Sequence, residues 1–271
     1  KNASAVIAAL LLSMPVFIQQ AGTIFVDTFF TFTFALVIYF LQEITKNPHE
    51  KSNVCFFGLA LGLFIGTKYL GLVYGIIPLI IFLVIQLRQK TSRLQIICLS
   101  FISIFLTGAF FYVRNWINAS NPIFPAEVKI FGYTLFKGYP VVADNLARST
   151  IFNNLPNLTT AKAFLKDFFI MTDIPGLLVF LCFLSLPIYL IYALKKKQKS
   201  LLDIWTVVSL IMGIIALFIL YLKAPYSYRD LIHNIRYAMP FLLAVSVATG
   251  FLISRLGKIR PFFYIAALLA C

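Results

Sequence analysis

Charged residues, and acidic ones above all, are scarce in this sequence. Only 9 of the 271 residues are Asp or Glu, and charged residues together make up 12% of the chain, whereas soluble domains carry about 25%. Hydrophobic residues reach 61%, and the mean hydropathy is +0.93. This composition excludes a globular enzyme with a single membrane tag and predicts that the whole chain is a membrane protein.

Several common catalytic and cofactor motifs are also missing. The sequence has no GxGxxG, no Walker A loop and no HExxH, and no Ser-His-Asp spacing stands out. Its four cysteines lie in apolar runs without CxxC spacing. We interpret them as small core residues, because neither metal-ligand nor redox spacing is present.

What the sequence does contain is a series of apolar runs, and crossing a membrane takes about 20 such residues. They cover residues 3–19, 27–43, 69–87, 94–113, 174–194, 202–222 and 237–254, with a shorter run at 54–66 and another starting at 261. We predict an all-α fold: a polytopic transmembrane helical bundle of one domain over residues 1–271, with about eight spans and a truncated ninth. The start at Lys1 and the short last run favour an internal fragment of a larger protein.

The net charge of +14 is placed in a way that argues for a membrane topology and against nucleic-acid binding. Lys1 and four short connections, at residues 46–51, 88–93, 195–199 and 255–260, hold 13 of the 23 Lys and Arg residues. By the positive-inside rule these connections are cytoplasmic. We expect a multi-pass membrane protein with these connections on its cytoplasmic side.

The stretch from Val54 to Leu87 is too long for one ordinary span. A single crossing would put two basic connections on opposite sides, so we predict a hairpin that turns at residues 66–71 on the outer side. Pro15 is expected to kink the first helix.

Residues 115–173 form the longest polar section and are predicted to be an extracytoplasmic insertion. Partial alternation in residues 127–136 favours a short β-hairpin. Residues 160–170 place five apolar side chains on one helical face, which indicates a helix lying flat in the interface before a span that starts near Pro175.

This topology brings ionisable residues to the outer ends of the apolar helices. They are Asp27, Lys68, Arg114, Asp230, His233 and Arg236. Simpler explanations stay open: Asp27 as a helix N-terminal carboxylate, Lys68 as a snorkelling lysine, His233 as a surface group and Asp230 as a partner of Arg229.

Four motifs in series resemble a known family. They are Gln20-Ala-Gly-Thr-Ile-Phe-Val-Asp27, Gly58-Leu-Ala-Leu-Gly-Leu-Phe-Ile-Gly-Thr-Lys-Tyr69, Tyr112-Val-Arg-Asn-Trp116 with Asn121-Pro-Ile-Phe-Pro125, and Arg236-Tyr-Ala-Met-Pro240. The sequence resembles the polytopic GT-C glycosyltransferases, most closely the bacterial members related to protein O-mannosyltransferases and lipid A aminoarabinose transferases.

The resemblance implies transfer of a sugar from a polyprenyl-phosphate donor to a glycan, lipid or protein acceptor on the outer side of the bilayer. It also implies that the principal catalytic acid lies in a loop before Lys1, which leaves Asp27 a supporting catalytic role. Lys68, Arg114 and Arg236 are the residue types that bind phosphate oxygens. Tyr69, Asn115, His233 and Tyr237 flank these charges and are predicted substrate contacts.

No predicted cytoplasmic connection is long enough for the α/β domain that a nucleotide-sugar site usually needs, which favours a lipid-linked donor. A membrane transporter or lipid flippase is the alternative, and an assembly subunit is a third. The sequence leaves open the sugar, the acceptor and whether a divalent metal takes part. It indicates no metal-ligand cluster.

Overall fold

The computed structural model describes residues 2–23, 26–89, 93–139, 150–195, 201–224 and 234–255. The chain divides into two compact units. We call residues Val26–Arg148 the central unit, and Lys1–Phe25 together with Ser149–Cys271 the terminal unit.

The predicted all-α fold is confirmed, since helices account for almost all of the described secondary structure. The central unit contains α3 (Asp27–Lys46), α4 (Lys51–Thr67), α5 (Leu70–Leu87), α6 (Arg93–Ala119), β1 (Val128–Ile130) and β2 (Tyr133–Phe136). The terminal unit contains α1 (Asn2–Ser13), α2 (Pro15–Ala21), α7 (Ile151–Asn154), α8 (Leu158–Lys195), α9 (Leu201–Leu222), a 3-10 turn (Arg236–Ala238) and α10 (Met239–Arg255).

Four helical segments among the described residues are long and apolar enough to cross a membrane. They are Asp27–Lys46, Leu70–Leu87, Leu94–Ala119 and Arg236–Ile253. The bent pair α1 and α2 makes a fifth if it counts as one span, while α4 and the Leu210–Leu222 part of α9 are shorter apolar helices. The count of eight spans stays a prediction.

Helices α3, α4 and α5 run up and down against one another. Phe40 stacks on Phe56 near one end of the α3–α4 pair, and Phe30 stacks on Phe64 near the other, so the two helices are antiparallel. The chain turns back after Thr67, where α4 ends, and α5 begins at Leu70. The hairpin predicted at residues 66–71 is confirmed.

Helix α6 runs parallel to α4 and in close contact with it. A Cβ atom on Gly58 would lie 2.6 Å from the carbonyl oxygen of Ser100, and one on Gly66 would lie 3.0 Å from Cα of Gly108. Small residues let membrane helices approach this closely. The contacts advance in the same direction along both helices, so the C-terminal ends of α4 and α6 lie at the same end of the central unit.

A two-stranded antiparallel hairpin follows α6, as its alternating sequence predicts. Ile130 pairs with Tyr133 across a two-residue turn, and Val128 pairs with Phe136 at the base. Phe131 and Gly132, the turn residues, both have positive φ, at 49° and 84°. That backbone is characteristic of a type I′ turn.

The terminal unit contains two bent helical segments. Helices α1 and α2 meet at an angle of 71° before Pro15, which confirms the predicted kink. Helix α8 breaks at Asp173 (φ 50°, ψ −158°) and folds back so far that the rings of Phe168 and Phe180 lie 5.5 Å apart. The flat orientation of residues 160–170 in the interface stays a prediction.

Candidate functional site

A salt bridge between Asp27 and Lys68 lies at one end of the central unit. The Nζ atom of Lys68 donates a hydrogen bond of 2.9 Å to Oδ1 of Asp27, although 41 residues separate the two. The Asp27 side chain is only 4% exposed and that of Lys68 is 17% exposed. Helix packing therefore joins two of the charges that topology alone placed on one face.

The local backbone explains how both charges reach this position. Asp27 is the first residue of α3, where a carboxylate complements the helix dipole. Lys68 directly follows α4 in an extended conformation (φ −156°, ψ 140°). The amide of Gly71 then donates to the Lys68 carbonyl oxygen at 2.7 Å and closes the turn into α5.

An aromatic layer lies one helical turn inward from the salt bridge. The rings of Phe30 and Phe64 stack at 4.3 Å, the ring of Phe34 lies 5.0 Å from that of Phe64, and the ring of Tyr74 meets Phe30 edge-on at 6.1 Å. Phe30, Phe34, Phe64 and Tyr74 are all buried. An apolar layer of this kind excludes water and strengthens the electrostatic interactions beside it.

Arg114 lies at the same end of the central unit as Lys68. Two residues before it, the hydroxyl of Tyr112 donates a 2.5 Å hydrogen bond to the carbonyl oxygen of Ile65, in the last turn of α4. The Arg114 side chain is exposed, its guanidinium lies 5.5 Å from the centre of the Phe111 ring, and Nη2 lies 3.4 Å from Oδ1 of Asn115. A parallel α4–α6 pair thus presents a lysine and an arginine at one end.

Asn115 is buried and connects Arg114 to the following loop. Its Nδ2 donates to the carbonyl oxygens of Pro122 (3.4 Å) and Phe124 (3.1 Å), while its Oδ1 faces the guanidinium of Arg114. These hydrogen bonds give Asn115 a positioning role. Its predicted role as a substrate contact stays a prediction.

Asn121 is a positioning residue that sequence reasoning missed. It is 1% exposed, its Nδ2 donates to the carbonyl oxygens of Ala126 and Lys137, and its Oδ1 accepts from the amide of Ile123. One side chain thus holds both ends of the β-hairpin. The signal was the Asn-Pro pair, which commonly starts a turn.

The remaining predicted site residues are Tyr69, Arg236, Tyr237, Asp230 and His233. Tyr69 is half-buried at the start of α5, beside Lys68. Arg236 and Tyr237 belong to the terminal unit, in the turn before α10, where Nη2 of Arg236 donates to the Tyr237 hydroxyl at 3.1 Å. That Arg236 and Tyr237 join the same site stays a prediction. Asp230 and His233 lie outside the described residues.

Asp167, in the first part of α8, is a buried acidic residue that the sequence analysis did not single out. Its residue is 7% exposed. Burial raises the pKa of this carboxyl above its ordinary value, and the neighbouring charge of Lys166 opposes the rise. Nowhere in the described ranges do three His, Cys, Asp or Glu side chains converge as metal ligands.

Comparison with protein families gives one match. Residues 1–112 match the dolichyl-phosphate-mannose-protein mannosyltransferase family. These residues make up less than half of the chain, and their similarity to this family supports a membrane glycosyltransferase of the GT-C type. The match supports the family resemblance at the first two of the four sequence motifs, and it ends where the third begins. Neither the curated proteins nor the solved structures gave a match.

The matched residues include part of the candidate site. They contain Asp27, Lys68 and Tyr69 and end two residues before Arg114. The salt bridge and the aromatic layer therefore lie within the family region. Arg114 and Asn115 lie outside the match, so their predicted roles in phosphate and substrate binding are supported only by the structure and by the sequence motif.

Proposed function

We propose that the protein transfers a sugar from a polyprenyl-phosphate-linked donor to an acceptor on the extracytoplasmic side of the membrane. The observation that carries the proposal is the Asp27–Lys68 salt bridge at the ends of apolar helices, within the region that matches the mannosyltransferase family. The acceptor is a glycan, a lipid or a protein.

The chemistry of a lipid-phosphate donor explains why cations belong at this site. As the glycosidic bond breaks, negative charge develops on the phosphate that leaves with the lipid. Preorganised cations stabilise that charge in the transition state. Lys68 supplies a point charge and Arg114 a planar fork with several donors. Arg236 is proposed as a third phosphate contact.

Asp27 has two proposed tasks. Its carboxylate holds the Lys68 ammonium at 2.9 Å, so the lysine side chain is already oriented before the donor binds. It also supports the activation of the acceptor hydroxyl, a step that needs a carboxylate within hydrogen-bond reach. Tyr69, Asn115, His233 and Tyr237 are the proposed substrate contacts.

The ends of the helices suit a donor whose tail remains in the bilayer, and the charges at the other end support the sidedness. Lys46 ends α3, Lys51 begins α4, Arg88 follows α5 and Arg93 begins α6, all at the end opposite to Lys68. Positive residues next to spans favour the cytoplasmic side. The salt bridge is then extracytoplasmic, in a bacterial inner membrane under this proposal.

The test measures sugar transfer by the full-length protein in proteoliposomes, with a radiolabelled polyprenyl-phosphate sugar and membranes as the acceptor source. We expect Lys68→Ala to lower transfer by roughly 100-fold or more, because removing one transition-state donor commonly costs that much. Arg114→Lys keeps the charge but loses the fork, so we expect a smaller loss.

Lys46→Ala is the matched control. Lys46 pairs with Glu43 at 2.6 Å, but this pair is exposed and lies at the opposite end of α3. Transfer should remain at the wild-type level in this variant. Wild-type transfer by a correctly folded Lys68→Ala protein would refute the proposed phosphate site.

A further inference from the structure

The β-hairpin after α6 exposes an apolar face that no described side chain covers. Ile130 pairs with Tyr133 on one side of the hairpin, the register places the Val128–Phe136 pair on the same side, and Phe131 is at the tip. Tyr133 is 82% exposed and Phe131 is 97% exposed. Lys129 pairs with Thr134 on the other side. The ring of Phe136 meets that of Trp116 edge-on at 5.7 Å.

Phe131 has no evident role in folding the hairpin. It occupies a turn position with φ of 49°, where asparagine or glycine is normally preferred and a bulky residue is strained. Its side chain is almost fully exposed, so it contributes nothing to packing against the described residues. The packing of the described residues therefore does not explain a bulky aromatic side chain at this strained position.

The hairpin is anchored directly at the end of a membrane-spanning helix. Asn115, in α6, donates to the carbonyl oxygens of Pro122 and Phe124, and Asn121 ties Ala126 to Lys137. These four hydrogen bonds hold the base of the hairpin close to the last turn of α6. The apolar face therefore lies at the level where α6 leaves the bilayer.

The exposed side of α6 continues into the hairpin. Its outward apolar residues recur at helical spacing and are Phe101, Ile102, Phe105, Leu106, Phe110, Val113, Trp116 and Ile117. In a membrane protein such a stripe faces lipid. Trp116, near the end of the stripe, contacts Phe136. The lipid-facing surface therefore continues onto the side of the hairpin that carries Ile130 and Tyr133.

We propose that this hairpin is a membrane-interface anchor that inserts Phe131 and Tyr133 into the boundary between headgroups and acyl chains. Aromatic side chains favour that region, because their rings are apolar and tyrosine has a polar end. Lys137, exposed next to the last residue of β2, is placed to reach lipid phosphates. The occupant of the apolar face is the bilayer itself.

The test uses fluorescence quenching on the full-length protein in lipid nanodiscs. Trp116 and Trp205 are replaced by Phe, and Phe131→Trp then supplies the only tryptophan in the 271 residues, which is excited selectively over tyrosine. Interfacial side chains lie about 5–10 Å into the headgroup and acyl boundary, so we expect brominated lipids to quench this reporter roughly twofold more than a reporter at residue 134. Aqueous iodide should quench it correspondingly less.

Thr134→Trp, on the opposite side of the same hairpin, is the matched control and should be open to iodide. If Phe131→Trp does not give a monodisperse protein, Tyr133→Trp on the apolar face carries the same measurement. Equal iodide quenching at residues 131 and 134, without quenching by brominated lipid, would overturn the anchor and leave the face to a soluble acceptor or a protein partner. No sugar donor is present, so the outcome is independent of the transferase activity.

Discussion

The hydroxyl of Tyr112 donates a 2.5 Å hydrogen bond to the backbone carbonyl oxygen of Ile65. Ile65 belongs to the last turn of α4, whose carbonyl groups lack intrahelical partners. The bond thus satisfies the end of one helix with a side chain from a parallel neighbour. It also fixes the level at which α6 presents Arg114 relative to Lys68.

Tyr112→Phe should lower both stability and transfer. Loss of the hydroxyl leaves a part-buried carbonyl group unpaired, which costs about 1–3 kcal/mol. The midpoint of thermal unfolding in detergent should fall, and transfer should fall because Arg114 loses its fixed level. Tyr139→Phe is the control, since Tyr139 is exposed in the loop after β2. Equal unfolding midpoints for the two variants would contradict this role of Tyr112.

The Asp27–Lys68 salt bridge should give a clear coupling energy in a double-mutant cycle. Lys68→Ala leaves a buried carboxylate without its cation, which typically costs about 3–5 kcal/mol. Replacing both residues by Ala removes the uncompensated charge, so the double variant should be more stable than the sum of the single changes implies. Thermal unfolding of the four proteins measures this coupling, and strict additivity would mean that the two charges do not depend on each other.

Gly58→Ala should destabilise the central unit although alanine is the better helix former. The new Cβ would lie 2.6 Å from both the Ser100 carbonyl oxygen and Cβ of Ser103, so α4 and α6 must move apart. Gly213→Ala is the matched control, because among the described residues no atom beyond its own helix backbone lies within 4 Å of a Cβ at that position in α9. There the substitution should stabilise by up to about 1 kcal/mol. The opposite signs should appear as unfolding midpoints on either side of the wild-type value.

Asp167 should make the stability of the protein depend on pH. Its pKa is raised in the folded protein, so the folded state favours the protonated carboxyl. The contribution of this group is fully present below its unfolded pKa and is lost as the pH rises through the folded pKa. Asp167→Asn should flatten this part of the stability profile and raise the unfolding midpoint at neutral pH. An unchanged profile across the mildly acidic range would show that Asp167 is not the cause.

The hydrophobic pattern alone predicted the helix positions well. Apolar runs at 27–43 and 69–87 became Asp27–Lys46 and Leu70–Leu87, because a long apolar run has few alternatives to a helix in lipid. Pro78 lies inside the second helix without ending it, as prolines in membrane helices can. The kink followed from Pro15 itself. The turn before Leu70 followed from the requirement that the basic connections lie on one side of the membrane. The juxtaposition of Lys68 and Asp27 also followed from topology, although its distance did not.

The roles of the asparagines required the structure. Asn115 and Asn121 each bond to several carbonyl groups, which become neighbours only after the loop at residues 120–139 has closed. No periodic signal marks such a residue, since its partners are backbone atoms of an irregular loop, 5 to 16 residues further along the chain. The exposure of Phe131 was hidden for the same reason, because alternation assigns faces but does not say which face is covered.

The sequence by itself determined that this chain is a helical membrane protein whose charges collect at helix ends, because the bilayer penalises charge along the spans and rewards unbroken apolar runs. The tertiary structure decided which charges meet. The close α4–α6 contact and the parallel course of these helices put Lys68 and Arg114 at one end, and the antiparallel α3 brings Asp27 to Lys68. Those contacts depend on the shapes of packed side chains, which no single stretch of sequence contains.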